Sequence, residues 1–407
     1  MLILPSYRMM GSRAALDGVP AWLLSVGGTP ATLDIDFVND LAYNAGPTSI
    51  ASLLTCSRAS SGYYTKADGT LQNFSSNALR YGTNGLVVEE ARTNICLQSS
   101  TFASSPWANT NHSGVAGPTL TAGQSAPDGT TTATKFDFPA VSDADYSIYS
   151  QTVTVTAAAA YSQSIYVKAA TPGDVGSFLV VYANDGAGSW ANRITLTSSW
   201  QRLTYTGAPS GTSWLFWFGS AGNAISGFAN QGAFSALLWG AQLEAGSFAT
   251  SYIPTTSASA TRSADVVTLT SVAGLNGTTF TFHTEHKATG DAGFLNKVLS
   301  IGATKELFTD ENSGNVRGYI DPTALTDSAT MAVGTTVKIA IARDASDSAV
   351  CLNGRSAVTG TQNALGTISS LYLGQYQGGG FSRNGCISRF SYWPSRISNA
   401  NLQTLTT

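Results

Sequence analysis

The sequence predicts an all-β protein, a tandem of antiparallel β-sandwich (jelly-roll) domains after an irregular N-terminal region. Three observations predict it: apolar and polar residues alternate over short runs, turn dipeptides separate those runs, and few segments carry a helical period. In residues 163–168, Ile165 and Val167 fall on one face and Tyr166 and Lys168 on the other. Residues 337–343 repeat the pattern with Val337, Ile339 and Ile341. Such alternation marks strands with one face on a core and the other toward water. Asn353-Gly354 between the apolar runs 348–352 and 355–358 spells a strand, a two-residue turn and a return strand. Asn276-Gly277 precedes the run 278–282 in the same style. Many short strands with turn residues between them argue for a sandwich or jelly roll. Residues 399–405 read as one short turn of helix.

Texture divides the 407 residues into three regions. Residues 1–128 are irregular, with arginines densest between Arg80 and Arg92. Residues 129–255 form a Trp- and Tyr-rich strand region, and residues 262–407 a third. The Ser/Thr/Ala-rich stretch 255–261 between them reads as a linker.

Hydrophobic residues make up 43% of the chain and charged ones 11%, so there is ample core material and little surface charge. With 21 basic and 24 acidic residues the net charge is −3, which excludes a nucleic-acid footprint. Sheet edges are usually defended by charges and prolines. A chain this poor in charge is expected to cover its edges with neighbouring subunits. The scattered Cys56, Cys96, Cys351 and Cys386 form no CxxC pair and read as small buried apolar residues. No run approaches the roughly 18 apolar residues of a membrane helix. The opening residues are apolar for only four positions before Pro5, unlike a signal peptide. The expectation is a product made and kept in a cytoplasm, or released by lysis.

Several segments carry a resemblance. Residues 58–71 begin Arg58-Ala59-Ser60 and hold Tyr63 and Tyr64; Leu79-Arg80-Tyr81 follows, then Gly85-Leu-Val-Val-Glu-Glu-Ala-Arg-Thr-Asn94 and the Phe102 to Trp107 element. Together they resemble a stretch common in phage and prophage virion proteins. Residues 238–254, with Trp239, Gly240, Gln242, Glu244 and Tyr252, and then Thr261-Arg262-Ser263-Ala264-Asp265, resemble the closing strand of the carbohydrate-binding-module-like jelly roll in phage head-spike and tail-fibre proteins. Residues 337–343, 353–354, 371–375 and 385–398 are similar to the concanavalin A-like/laminin-G sandwiches of the same proteins. The resemblance implies a virion-anchoring region (1–128), a jelly roll (129–255) and a lectin-like sandwich (262–407). It implies a structural component of a phage particle, a homotrimer bound to other capsid or tail proteins through its N-terminal region. Host-surface glycan is a further expected partner, and the virion, assembled in the host cytoplasm, the expected location. No cofactor is implied, and a structural Ca²⁺ is not indicated.

The residues themselves offer scaffolding before chemistry. Leu237, Trp239, Ala241 and Leu243 are expected on one strand face, Gly240 leaving room for an aromatic neighbour and Glu244 starting the turn out of the sheet. Arg92 beside Glu89 and Glu90 is expected to tie strand to loop through a bidentate ion pair. Asp143 and Asp145 would sit about 7 Å apart on a strand, a spacing glycosidases use, but their surroundings read as a solvated turn, with Ca²⁺ or sugar contact as alternatives. Asp34 and Asp36 read as the outer face of a strand whose Ile35 and Phe37 point inward. His283 and His286 should face opposite sides of a strand, and His112 completes the histidines, leaving little for a catalytic triad. No catalytic or metal residue is assigned, so the expectation is a non-enzyme, with a glycan depolymerase as the alternative. The sugar-contact candidates are Trp190, Asn184 and Asp185, read as an exposed loop between strands 178–182 and 193–197, with Trp190 folded back over the core or in a subunit contact as the alternative. The run 214–218, apolar on both faces, reads as a buried strand or an inter-subunit seam.

Overall fold

The computed structural model describes residues 20–112, 114–143, 145–184, 189–223, 230–288, 296–301, 305–310, 315–320, 323–330, 333–345, 347–375 and 384–407. The fold is all-β, built as two antiparallel sandwiches.

The first sandwich pairs two five-stranded sheets. One runs Ala108–Asn111, Tyr146–Thr154, Ser213–Ala221, Phe178–Asn184, Ser189–Thr195; the other runs Thr119–Gln124, Ala133–Phe138, Phe234–Ala245, Tyr161–Ala169, Gln201–Gly207. Phe136, Ile165, Trp214, Phe216, Phe218 and Leu238 meet between them. The run 214–218 is a strand apolar on both faces, as expected. Leu215 and Trp217 pack on the other side with Ile148, Val180 and Tyr182.

The second sandwich does not begin at residue 262. Leu33–Asp36 pairs with Gly385–Trp393, Leu54–Ser57 with Val266–Leu269, and Leu86–Val88 with Gly385–Trp393. Leu33, Ile35, Phe37 and Leu54 share one core with Phe282, Ile339, Ile387 and Phe390. The jelly roll is therefore an insertion between the early and late strands of one sandwich. The division expected at residue 128 rested on texture, which reports local composition and not pairing. The insertion hangs on a two-stranded neck, Arg92–Asn94 against Ala260–Arg262. The stretch 255–261 is held at both ends, with 256–259 exposed between them: Ala260 and Thr261 enter the neck strand, and Thr255 is buried, its N–H donating to Ser99 Oγ (2.8 Å) and its hydroxyl to the Cys96 carbonyl (2.5 Å).

Local expectations recur in detail. Asn353 (φ 44°) and Gly354 (φ 71°) both take positive φ, as a type I′ turn requires, but the return strand is Val358–Gly360 and not 355–358, with Val350 paired to Val358. The helix spans Asn399–Leu405, capped by Ser398, whose hydroxyl accepts from Asn401 N–H.

The strand Phe234–Ala245 departs from strict alternation. Across from Tyr161–Ala169 the register passes from Tyr166↔Trp239 to Ser164↔Gln242, so Gly240 and Ala241 together face Ile165. This β-bulge, with Gly240 at φ 68°, switches faces. Leu238, Ala241 and Leu243 point into the jelly-roll core, while Trp239 points outward to Tyr63, Tyr166 and Tyr252. The expected common face of Leu237, Trp239, Ala241 and Leu243 is thus broken. The room expected at Gly240 is real: a Cβ there would lie 3.1 Å from Tyr166 and 3.3 Å from Tyr252.

Candidate functional site

Residues from three of the resembling segments, 58–71, 79–94 and 261–265, meet in one buried ionic junction at the neck. Arg58 leaves the end of the Leu54–Ser57 strand, fully buried, and sends Nη1 to Asp265 Oδ1 (2.7 Å). Its remaining donors reach the carbonyls of Ser60 (3.0 Å), Ser75 (2.8 Å) and Ala78 (3.1 Å). Arg80 donates through Nη2 to Glu89 Oε2 (2.8 Å) and to Asp265 Oδ2, and through Nη1 to Tyr63 O (2.7 Å) and Ser251 Oγ (2.8 Å). Arg262 donates to Thr250 Oγ1 (2.9 Å) and to the Glu90 carbonyl, with Glu89 Oε2 at 3.2 Å. Glu89 also accepts from the Ser251 N–H (2.7 Å) and hydroxyl (2.6 Å).

Arg58, Glu89 and Arg262 lie where strands end, Asp265 just before one begins and Arg80 on the connection between Leu71–Phe74 and Leu86–Val88, so these side chains tie the second sandwich to the neck. Asn94 sits beside them, its amide donating to Ala241 O (3.1 Å) and Ile253 O (2.8 Å) while its oxygen accepts from Leu243 N–H (3.0 Å). Glu244 is fully buried and accepts from the Thr250 N–H and hydroxyl, both at 2.7 Å, so it closes the turn after its strand. Burial works against the charge of Glu89, yet Arg262, Arg80 and Ser251 outweigh it and hold the carboxyl far below the usual range. Burial likewise opposes the charge of Arg80, and Asp265 and Glu89 outweigh it. The arrangement can hold geometry, because its charges are spent on one another.

Arg92 is correctly linked to an acid, with a different partner set from the expected pair. Its Nε (2.6 Å) and Nη2 (2.5 Å) both meet the single oxygen Glu90 Oε1, and its guanidinium lies 4.7 Å over Phe248. Glu89 belongs to Arg80 and Arg262 instead. Sequence reading missed Arg58, Arg80, Arg262 and Asp265 as one cluster, although three arginines in segments of the same resemblance were the available signal.

The other candidates stay apart. Asp143 lies in a loop at φ 46°, its N–H donating to Asn230 Oδ1 (2.7 Å). Asp145 pairs with His112 Nδ1 (2.9 Å), a contact across 33 residues that no local pattern signals. The two carboxylates thus serve different partners in a half-exposed turn. Asp34 is fully buried, accepting from Arg389 Nε (2.9 Å), Arg389 Nη2 (2.5 Å), Ser391 Oγ (2.7 Å) and Leu24 N–H (2.9 Å). It occupies the outer face of its strand, as expected, but beneath a covering segment rather than in water. His283 and His286 lie on opposite faces of Phe280–Ala288, both buried. Among the described residues no group of three or more His, Cys, Asp or Glu is placed to hold a metal ion.

Trp190 stands in a strand and not in a loop. Ser189–Thr195 pairs with Phe178–Asn184, with Trp190 opposite Ala183 and Asn184 opposite Ser189. The pairing extends further toward the turn than the alternation alone indicated. Asp185, and the side chains of Asn184 and Trp190, lie outside the described residues.

No family model matches the chain, and no curated protein matches it. Solved structures similar to it include a Trypanosoma rangeli sialidase mutant displaying trans-sialidase activity (11% identity, TM-score 0.27), where the match covers 31% of this chain and 22% of that one. A SAP-like pentraxin from Limulus polyphemus is similar at 18% identity and TM-score 0.25, covering 32% of this chain and 70% of that chain. Domains LG4-5 of the mouse laminin alpha1 chain are similar at 10% identity and TM-score 0.24, covering 70% of this chain and 92% of that chain. The chain thus spans under a quarter of the length of the first of these relatives.

Proposed function

We propose that this chain is a structural subunit of a bacteriophage particle, a head or tail fibre, spike or decoration protein, and not an enzyme. One observation supports the reading: three of the segments that resemble phage virion proteins supply the buried junction of Arg58, Arg80, Glu89, Arg262 and Asp265. A signature invested in holding two sandwiches in one orientation suits a part that transmits position. A catalytic family would be expected to spend it on an open site. In this reading the N-terminal end attaches to capsid or tail proteins, the chain assembles as a homotrimer, and the sandwiches project outward to meet host-surface glycan weakly. Trp190, Asn184 and Asp185 remain the candidates for that contact. The protein would reside in the virion after assembly in the host cytoplasm.

The test is mass spectrometry of density-purified particles from a host carrying this sequence, with immunogold labelling of the same particles. Stoichiometric recovery and labelling at one fixed place are expected; absence from purified particles sinks the reading. Light scattering of the recombinant chain should give three times 42.2 kDa, and a monomeric mass overturns the trimer. The enzyme alternative is separable. A depolymerase releases reducing sugar from host polysaccharide, and Asp143→Ala or Asp145→Ala abolishes the release.

A further inference from the structure

Both ends of the described chain fold over the outer face of the sheet that contains Phe280–Ala288. The hairpin of Ser25–Val26 and Thr29–Pro30 brings Leu23 and Val26 against Leu402 and Leu405 of the C-terminal helix, above Ala340 and Cys351. Gly27 (φ 56°) lies so close to Asn401 that any Cβ there would collide with its side chain. Polar contacts pin the cover: Trp393 Nε1 donates to Thr29 O (3.2 Å), Leu24 N–H to Asp34 Oδ2 (2.9 Å), and Arg389 Nη2 to Trp22 O (3.2 Å).

Beneath this cover a row of paired residues crosses four strands: Asp34, Ser391, His283 and Ala340. Asp34 is saturated with donors. His283 is the opposite case: it is fully buried, and neither Nδ1 nor Nε2 has a hydrogen-bond partner among the described residues. The charged groups around it are Arg389 on Gly385–Trp393, Lys338 on Thr336–Asp344, Glu285 on its own strand, and Asp34 and Asp36 on Leu33–Asp36, both engaged by Arg389. The covering hairpin and helix contribute no charged side chain. A proton arriving on His283 would therefore find two cations nearby and, among the described residues, no hydrogen-bond acceptor on either ring nitrogen.

We propose that the cover is a proton-sensitive latch: segments 22–31 and 399–406 lift from the sheet so that His283 can be protonated. Burial, with Arg389 and Lys338 adding to it, pushes the closed-state imidazole down to about 3, whereas an exposed imidazole titrates near its ordinary 6.5. Between those values the open form binds a proton that the closed form refuses. The opening equilibrium must then rise by about tenfold per pH unit as pH falls below 6.5. His286 faces the inner core with Thr284 (3.3 Å) and is not under the cover.

The test is native-state hydrogen exchange on the full chain between pH 7 and 4.5, corrected for intrinsic rates. The reporters are the amides of Ala31, which donates to Leu24 O (2.9 Å), and Thr406, which donates to Leu402 O (3.1 Å). Their opening constants should rise by about fiftyfold from pH 6.5 to 4.5, while the amide of Val350, whose side chain faces the inner core, stays constant. In His283→Leu and His283→Gln the profile should be flat, the glutamine serving if leucine prevents folding. A flat wild-type profile, a slope that survives either substitution, or an equal rise at Val350 each overturns the latch.

Discussion

Asp265→Asn is the most direct test of the junction. Asp265 accepts from Arg58 Nη1 (2.7 Å), from Arg80 Nη2 and from the Glu89 N–H (2.9 Å), and it is buried. Asparagine keeps the shape but removes the charge, and its amide group turns donors toward a guanidinium. Arg58 loses its only ion-pair partner among the described residues, and Arg80 is left with Glu89. Breaking one partner of a buried pair typically costs about 3–5 kcal/mol, because the remaining charge stays uncompensated in low dielectric. For a unit of this size that corresponds to a fall in Tm of about 10 °C. Calorimetry of wild type and variant measures it, and the second sandwich should melt earlier than the jelly roll. Adding Arg58→Met to Asp265→Asn should recover part of the loss, since it removes the orphaned cation. A loss below about 1 kcal/mol would refute the reasoning, because it would mean that water reaches the cluster.

Further outcomes follow from the same structure. Glu89 is held below its ordinary value, so its contribution is present above about pH 4.5 and is lost as pH falls toward its folded value; urea unfolding of Glu89→Gln should show a lower midpoint at pH 7 and a flatter acid limb than wild type. Gly240→Val places a β-branched residue at φ 68° against Tyr166 and Tyr252, and should destabilise by about 1–3 kcal/mol in denaturant titration. Burial pushes Cys56 up to about 11 and Cys386 up to about 12, and raises Cys96 further; iodoacetamide at pH 8 should leave these thiols unmodified in the native protein and label them after unfolding.

Local pattern made much of this fold legible, and partner choice accounts for what it hid. Alternation placed Ile165 and Val167 inward because side-chain period in a strand is two. Asn353-Gly354 announced its turn because both residues tolerate positive φ. Neither signal names the strand on the other side of the ladder. Leu33 pairs with Tyr392 across more than 350 positions, and nothing near Leu33 encodes that. The same limit explains the site. Arg92 was matched to its neighbours Glu89 and Glu90, but Glu89 is claimed by Arg80 and by the distant Arg262. At Gly240 the period itself failed, since a bulge moves every later side chain to the other face.

The placement of charge suggests why the neck is ionic. In a chain with 11% charged residues, Arg58, Arg80, Glu89, Glu244, Arg262 and Asp265 are all buried. Buried ion pairs are a poor source of net stability, because desolvation consumes most of the attraction. They are directional, however, and an apolar contact is not. A jelly roll joined through two strands of three residues each and the apolar packing of Tyr63, Trp239 and Tyr252 would have few directional contacts to fix its angle. Guanidinium forks locked to Glu89 and Asp265 admit one orientation, and any pivot strands a charge. The junction is thus better understood as specifying the angle between the sandwiches than as strengthening their contact. If so, an apolar replacement of the whole cluster should leave the melting temperature nearly unchanged while broadening the distribution of inter-domain distances measured by double electron–electron resonance. A narrow distribution in that variant would assign the orientation to the aromatic packing of Tyr63, Trp239 and Tyr252 instead.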